Sequence, residues 1–319
     1  MQYRQLGNTE LRLSELSLGT VALGMPYGVG EEARGAGAVP PPTDSEAVAL
    51  IHHAIDRGLN FFDTARAYGR SEELLGKALR DRRHKVLVAT KIACRYNDGG
   101  ALPRRELTEQ MAGSLHTSLR LLGTDHVDLL LLHSASNDLL ENSDAIALLK
   151  RFQAQGKARC IGASTYGMAA PRIAIAQGLD ALQVAFNILD QRMAAEVLPC
   201  AKAADTGIIA RSVFLKGALS PRSEYLPARL AELKAQSRAV KRAAAALSPP
   251  LTVQAAALQF VLAHEFIATA LVGVRDIAEL EASLEAARAP RWSDVIVERF
   301  RRLRCDQADL LDPSAWGLP

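Results

Sequence analysis

The stretch that decides the fold is Leu59-Asn60-Phe61-Phe62-Asp63-Thr64-Ala65-Arg66-Ala67-Tyr68-Gly69. An apolar run of strand length ends there at a carboxylate, and a tyrosine follows five residues later. Two further apolar runs end as abruptly, the run 86–90 at Lys91 and the run 127–132 at His133. Strands that end on Asp, Lys and His indicate polar groups gathered at one end of a parallel sheet, where α/β enzymes carry their chemistry.

Eight such apolar runs alternate with helix-period segments nearly to the end of the chain. They occupy residues 15–19, 59–62, 86–90, 127–132, 158–162, 181–185, 207–210 and 269–272. Eight strands joined by helices predict a (β/α)8 TIM barrel, an α/β fold that typically takes ~250 residues. An open doubly wound sheet is the alternative, but no GxGxxG follows the first run. We expect residues 1–319 to form a single barrel domain.

Local signals predict helix ends and the segments outside the barrel. Thr43 and Glu46 have the spacing of a capping box, and Gly123 follows an apolar stripe where a helix C-cap would lie. Residues 3–12 are expected to form a hairpin that could plug the bottom of the barrel. The other additional segments are a Gly/Pro-rich loop at 26–42, a charged helical segment at about 222–248, and the tail after Pro290. Pro249-Pro250 ends the charged helical segment.

Composition narrows the class of protein. Hydrophobic residues make up 49% of the chain and charged residues 23%, values typical of soluble globular proteins. The net charge of +3 is too small to indicate a nucleic-acid or membrane partner, and no run approaches the ~20 apolar residues of a membrane helix. The four cysteines form no CxxC pair and no metal-ligand spacing with histidine, which predicts free thiols in a reducing compartment. Since the N-terminus lacks a signal peptide, we expect a cytoplasmic protein without a metal site, whose oligomeric state the sequence leaves open.

Four polar residues form the candidate catalytic set. In a barrel the strand C-termini face one pocket, so Asp63, Lys91 and His133 become neighbours, and Tyr68 lies on the loop above Asp63. Because an ammonium favours phenolate, we expect Lys91 to lower the pKa of Tyr68 from its ordinary ~10, with Asp63 holding Lys91 in place. His133 could donate a hydrogen bond to a substrate oxygen or share the proton with Tyr68. This set suits protonating or deprotonating an oxygen at a carbonyl carbon.

Each of these residues also has a purely structural interpretation. Asp63 could be the N-cap of the next helix, and Lys91 a solvated strand end. Tyr68 could be a turn aromatic and His133 a structural histidine. It is the presence of all four on one predicted rim that indicates catalysis.

The same residues carry a family resemblance. Phe62-Asp63-Thr64-Ala65-x-x-Tyr68-Gly69-x-Ser71-Glu72-x-x-Leu75-Gly76 resembles the signature of the aldo-keto reductase family, and Lys91 and His133 match the family's lysine and histidine segments. The resemblance covers essentially the whole chain. It implies a (β/α)8 barrel and NAD(P)H-dependent reduction of aldehydes or ketones, with the reverse oxidation also open. It also implies that Tyr68 is the general acid, that Lys91 and Asp63 tune it, and that His133 orients the carbonyl.

The resemblance further implies a set of cofactor contacts. Ser164 and Gln183 would hold the nicotinamide carboxamide, since an amide and a hydroxyl can satisfy both its donor and its acceptor. The alternative is that Gln183 merely satisfies nearby backbone. The remaining predicted cofactor-binding residues are Gly19, Thr20, Arg211, Ser212, Leu215, Gly217, Gly273, Arg275 and Glu279.

Two segments depart from the family pattern. Arg211 occupies the position of the aromatic residue that stacks on the nicotinamide; its planar guanidinium could stack as well, or could recognise an anionic substrate. The segment from Gly273 lacks the preceding proline, and Glu279 and Ser283 replace the Gln and Asn that relatives often carry near the adenine. These departures leave the substrate class open.

The cofactor's phosphate is expected near Arg275. An arginine before a helix N-terminus suits bidentate contact with the 2′-phosphate of NADP. Asp276 and Glu279 favour NAD instead, because a carboxylate repels phosphate and can accept a hydrogen bond from a free ribose hydroxyl. We expect NADP(H), with NAD(H) as the alternative, because Asp276 can cap its helix facing away.

The sequence therefore predicts an NADP(H)-dependent oxidoreductase that interconverts a small aldehyde or ketone and its alcohol. The alternatives are a sugar or polyol dehydrogenase using NAD, a non-catalytic nicotinamide-nucleotide-sensing subunit, and an isomerase or lyase using the Lys91 amine. The expected pocket rim, which fits sugars or acidic carbonyls, comprises Val21, Leu23, Tyr27, residues 94–98 and Trp316, with Arg66, Arg95 and Arg211.

Overall fold

Eight parallel strands close into a barrel in the computed structural model, which describes residues 1–30, 39–92, 94 and 102–318. The strands are β1 (Tyr3–Gln5), β2 (Arg12–Ser14), β3 (Leu16–Gly19), β4 (Phe61–Asp63), β5 (Leu87–Ile92), β6 (Val127–Ala135), β7 (Ala158–Thr165), β8 (Ala181–Ala185), β9 (Gly207–Arg211) and β10 (Ile267–Gly273). β3 to β9 follow one another around the barrel, and β10 pairs in parallel with both β9 and β3 to close it. The predicted (β/α)8 TIM barrel is confirmed.

Helices surround the barrel and account for most of the remaining chain. They are α1 (Val21–Gly24), α2 (Asp44–Asp56), α3 (Ser71–Leu79), α4 (Arg104–Leu122), α5 (Asn137–Glu141), α6 (Ala145–Ala154), α7 (Ala169–Ala176), α8 (Val197–Ala203), α9 (Ala231–Ala245), α10 (Val253–Leu262), α11 (Ile277–Arg288), α12 (Asp294–Arg301) and α13 (Ala308–Leu311). The predicted capping box forms at the start of α2, where Thr43 and Glu46 exchange side-chain and backbone hydrogen bonds. Gly123 ends α4 with a left-handed φ of 65°, as its position predicted.

The N-terminal hairpin closes the bottom of the barrel, as expected. β1 and β2 pair antiparallel, and the hairpin contributes Leu6, Leu11 and Leu13 to an apolar cluster with inward-facing strand residues such as Phe61 and Leu129. A larger core lies between the strands and the helices. Because side chains fill the lower end of the barrel interior, a ligand site inside the barrel is expected at the opposite end.

The other additional segments are mostly helical. α9 forms within the predicted segment 222–248 and follows short 3-10 turns at Pro221–Tyr225 and Ala228–Leu230. The tail contains α12 and α13. Of the loop 26–42, residues 31–38 lie outside the described residues. Among the helices that the structure describes, none has the length and hydropathy needed to cross a membrane.

Candidate active site

A cavity of about 200 Å³ lies at the C-terminal ends of the barrel strands. Most of the residues predicted for the site line it: Gly19, Thr20, Asp63, Tyr68, His133, Ser164, Gln183, Arg211, Ser212, Gly217, Gly273, Arg275 and Glu279. Leu215 is fully buried in the apolar core and is absent from the cavity wall, so direct contact with a ligand there is not supported. Lys91 lies just behind the wall, where it touches the residues that form it.

Lys91 is the centre of the candidate catalytic set. Its Nζ donates to Asp63 Oδ2 at 2.6 Å, to the Thr64 carbonyl at 3.0 Å and to the Tyr68 hydroxyl at 3.2 Å. The Lys91 side chain is fully buried, so these contacts replace its hydration. Asp63 lies at the end of β4, and the N-cap of α3 is Arg70, so the interpretation of Asp63 as a helix N-cap is wrong. Because the Lys91 side chain is fully buried, its interpretation as a solvated strand end is also wrong.

For both Lys91 and Tyr68, burial and the interaction with the other group shift the pKa in opposite directions. Burial alone would lower the pKa of Lys91, but Asp63 and Tyr68 outweigh it and the pKa is raised. Burial raises the pKa of Tyr68, and this influence exceeds the lowering by Lys91. Lys91 therefore lowers the pKa of Tyr68 as expected, but burial decides the net shift, which is upward. Tyr68 stays protonated at neutral pH, and a charged, buried Lys91 is a poor amine nucleophile, which argues against the isomerase or lyase alternative.

His133 faces Tyr68 across the cavity. The two rings meet edge to face with centroids 5.5 Å apart. Burial, with the nearby charges of Lys91 and Arg211, lowers the pKa of His133 to about 3. At neutral pH the imidazole is therefore uncharged, with one N–H to donate and one nitrogen to accept.

The loop that carries Tyr68 is held from below by a buried polar network. Glu72 is fully buried, accepts a hydrogen bond from Thr90 Oγ1 at 2.7 Å and pairs with Arg66. The hydroxyls of Thr64 and Ser71 lie 2.8 Å apart. These contacts join the loop to β5 and α3, so the Tyr68 hydroxyl is fixed by the scaffold rather than by a mobile segment.

Gln183 contacts the catalytic set rather than the backbone. Its Nε2 donates to Asp63 Oδ1 at 2.8 Å, which leaves both carboxylate oxygens of Asp63 hydrogen-bonded. The interpretation of Gln183 as a backbone partner is therefore wrong. Ser164 is nearly buried on the neighbouring strand β7.

Arg211 ends β9 and lies across the rim towards β7. Its Nη2 donates to the Thr165 carbonyl at 3.0 Å and its Nη1 to Ser212 Oγ at 3.2 Å. The guanidinium stacks on the Tyr166 ring, with 4.1 Å from Cζ to the centroid. Tyr166, which is 47% exposed, was missed by the sequence reasoning although it directly follows a strand end in the predicted barrel.

Charged residues also line the cavity at the end of β10. Glu279 accepts the backbone N–H of Arg275 at 2.9 Å and pairs with Arg222 at 2.6 Å. Arg275 donates from Nη2 to the Tyr27 carbonyl. Asp276 caps α11 by accepting the Glu279 N–H at 2.8 Å, as predicted. Arg222 was missed, because it belongs to an inserted segment whose approach to β10 has no sequence signal.

The predicted pocket rim is partly correct. Val21 and Tyr27 line the cavity, whereas Leu23 and Trp316 are buried core residues. Burial raises the pKa of Tyr27 to about 12, so its hydroxyl stays protonated. Arg66 is engaged by Glu72, and residues 95–98 lie outside the described residues.

The donor set of the cavity fits a nicotinamide dinucleotide. The Ser164 hydroxyl and the Gln183 amide can serve a carboxamide. Lys216, Arg222 and Arg275 line the same cavity and can serve phosphates. Within the described parts of the chain, no group of His, Cys, Asp and Glu side chains could hold a metal ion.

Comparison with known proteins identifies the family of this chain. Residues 15–304 match the aldo/keto reductase family. The chain is 30% identical over 302 residues to L-galactose dehydrogenase from Arabidopsis thaliana, covering 90% of this chain and 88% of that protein. It is 33% identical over 298 residues to D-threo-aldose 1-dehydrogenase from a Pseudomonas species, covering 81% and 89%. The fold resembles the holo form of an aldo-keto reductase from Bacillus halodurans, with a TM-score of 0.77 at 23% identity over 95% of this chain and 96% of that chain. The chain belongs to the aldo/keto reductase family, whose members are oxidoreductases that use nicotinamide cofactors.

Proposed function

We propose that this aldo/keto reductase interconverts a small aldehyde or ketone and its alcohol with NADP(H), using Tyr68 as general acid and base. The observation that carries the proposal is the Tyr68 hydroxyl, which lies in the cavity 3.2 Å from the buried Lys91 ammonium. A cation at that distance stabilises the phenolate that remains after proton donation.

The residues supply the proton chemistry of the reaction. A bound nicotinamide would supply the hydride that reaches the carbonyl carbon. The carbonyl oxygen takes its proton from Tyr68, and Lys91 balances the phenolate charge until the proton is replaced. Asp63, held by Gln183, keeps Lys91 in place. In the oxidation direction the same Tyr68 phenolate accepts the alcohol proton.

His133 positions the substrate oxygen in this proposal. Because its pKa is lowered to about 3, His133 is neutral and can donate one N–H to the oxygen without competing as a stronger acid. The edge-to-face contact with Tyr68 places the two groups side by side on the cavity wall. In this proposal both donate to the same carbonyl oxygen, which stabilises the negative charge that develops there.

NADP(H) is the proposed cofactor. Ser164 and Gln183 would hold the carboxamide, with Gly19, Thr20, Ser212, Gly217 and Gly273 forming the wall around the nucleotide. Arg275 and Arg222 would hold the 2′-phosphate. Glu279 already pairs with the Arg222 guanidinium and accepts the backbone N–H of Arg275, so Arg222 offsets its charge before any phosphate binds.

The second candidate is an NAD-dependent sugar dehydrogenase. Two similar proteins are named as dehydrogenases of sugars, and Glu279 could accept a hydrogen bond from a free ribose hydroxyl. The same catalytic set would then work in the oxidation direction.

We propose a cytoplasmic location for either activity, which the free thiols of Cys94, Cys160, Cys200 and Cys305 support.

The test is turnover with a defined tyrosine variant. Purified protein is mixed with NADPH and a panel of carbonyls, and with NADP+ or NAD+ and a panel of sugars and polyols, while reduced-cofactor absorbance is followed. Tyr68→Phe should retain cofactor binding and lose roughly 10²–10⁴ in turnover. The matched control is Tyr3→Phe, since Tyr3 lies on the hairpin at the opposite end of the barrel and donates to the Gly58 carbonyl.

Two results would contradict the proposal. Near-normal reduction by Tyr68→Phe would remove Tyr68 as the general acid. Tight cofactor binding with no turnover on either panel would instead favour the nucleotide-sensing alternative.

A further inference from the structure

The cations that line the cavity differ in whether a carboxylate neutralises them. Arg222 pairs with Glu279, and Lys91 behind the wall pairs with Asp63. Arg211 has no carboxylate within ion-pair distance among the residues that the structure describes. An unpaired guanidinium on a cavity wall attracts an anion.

Arg211 belongs to the substrate end of the cavity. Arg275 and Lys216 also lack a carboxylate partner in the described residues, but both are bound to backbone carbonyls at the other end, Arg275 to Tyr27 and Lys216 to Leu318. Arg211 ends β9 and lines the same cavity as Tyr68 and His133, and its charge contributes to lowering the pKa of both groups. An anion on Arg211 would therefore lie beside the reacting carbonyl.

The Arg211 guanidinium is fixed in orientation before any ligand binds. One N–H of Nη2 is used by the Thr165 carbonyl and one of Nη1 by Ser212 Oγ, while the Tyr166 ring supports the guanidinium plane. Each Nη carries a second N–H, which these contacts leave free. Two free N–H groups in one fixed plane can donate to the two oxygens of a carboxylate.

From this arrangement we propose that the site selects small aldehydes or ketones that carry a carboxylate, and that Arg211 binds this carboxylate through its two free N–H groups. Tyr166 is 47% exposed beside the guanidinium, and its ring would supply an apolar surface for the carbon skeleton between the carboxylate and the carbonyl. The inference rests on the proposed carbonyl-reducing function and narrows its substrate class.

Matched substrate pairs test the inference directly. We would measure kcat/KM with NADPH for 4-oxobutanoate against its methyl ester, and for glucuronate against glucose, using wild type, Arg211→Gln and Arg211→Lys. Loss of a charged hydrogen-bond pair should lower the ratio of kcat/KM for each acid to kcat/KM for its neutral partner by about 10- to 150-fold in Arg211→Gln, whatever change the two substrates share. Arg211→Lys should fall between, because it keeps the charge and loses the planar fork.

A binding measurement separates this inference from the proposed function. Calorimetric titration with butanedioate, an unreactive dicarboxylate, should show binding to wild type that Arg211→Gln weakens by a similar factor. Arg120→Gln is the control, since Arg120 is exposed near the end of α4 and the substitution changes the net charge equally. Absence of turnover with Arg211-dependent butanedioate binding would refute the proposed function and leave the anion site standing.

Two outcomes overturn the inference. One is an equal effect of Arg211→Gln on acids and on their neutral partners. The other is a change confined to the affinities for NADPH and NADP+, because the guanidinium would then serve the nicotinamide rather than the substrate.

Discussion

Removing the Lys91 ammonium should destabilise the fold as well as the chemistry. Lys91→Met keeps the length of the side chain but leaves Asp63 as a nearly buried carboxylate, with side-chain exposure of 6%. Breaking a buried ion pair on one side typically costs ~3–5 kcal/mol of unfolding free energy. Gln183 still donates to Asp63 at 2.8 Å, and the cavity admits water to this carboxylate, so we expect a loss near the lower end, about 3 kcal/mol.

Denaturant titration with a double-mutant cycle measures this effect. Asp63→Asn combined with Lys91→Met removes both charges, so the double variant should be destabilised by less than the sum of the two single variants, with an interaction energy of up to about 3 kcal/mol. Arg105→Met on the surface of α4 is the control, since Arg105 and Glu109 form a highly exposed pair and the stability should barely change. Additive single effects, within about 0.5 kcal/mol, would show that the two charges do not stabilise each other.

Three further predictions concern acid stability, the cofactor and the catalytic loop. The pKa of His133 is about 3 in the folded protein and ~6.5 when unfolded, so unfolding takes up a proton between these values and stability falls as pH decreases through this range. His133→Gln should flatten the pH dependence of the unfolding free energy by up to about 1.4 kcal/mol per pH unit between these values, and an unchanged slope would contradict the assignment. Arg275→Ala should weaken NADPH binding by about 10- to 150-fold and spare NADH, whereas tighter binding of NADH than NADPH by wild type would refute the proposed 2′-phosphate contact. Gly24→Ala places a methyl group against the Tyr68 carbonyl and the Ser71 N–H, so kcat should fall by roughly 10²-fold through displacement of the loop; a normal kcat would show that the loop adapts.

The barrel could be predicted because its strands are largely buried on both faces. Parallel strands inside a ring of helices give mostly apolar runs, and several of these runs are interrupted by a charged or polar residue where the strand reaches the cavity end of the barrel. Asp63 and Lys91 are such interruptions, and the register of β4 with β5 brings them to the same end. The relation between sequence and site is therefore direct for residues on the strands.

The cofactor end was harder to predict because inserted segments supply part of it. Arg222 lies in a 3-10 turn at Pro221–Tyr225 and reaches Glu279 on α11, 57 positions later in the chain. The hydrophobic periodicity of the sequence gives no indication of that contact. The side chain of Leu215 lies in the apolar core, and the sequence does not reveal this because a leucine fits either a cavity wall or the core.

The Tyr68 pKa shows how competing influences escape sequence reasoning. The sequence places an ammonium near the phenol and so gives the sign of that single interaction. How deeply the hydroxyl is buried depends on how the folded chain packs around it, and burial is the larger influence on the pKa. The consequence is chemical, because a phenol with a raised pKa is fully protonated at neutral pH and is ready to donate.

In the oxidation direction, the same raised pKa of Tyr68 requires an alkaline medium or a bound cation before the phenolate forms. The positive charge of an oxidised nicotinamide would supply such a cation, so we expect proton release from Tyr68 to become easier when the oxidised cofactor binds than when the reduced cofactor binds.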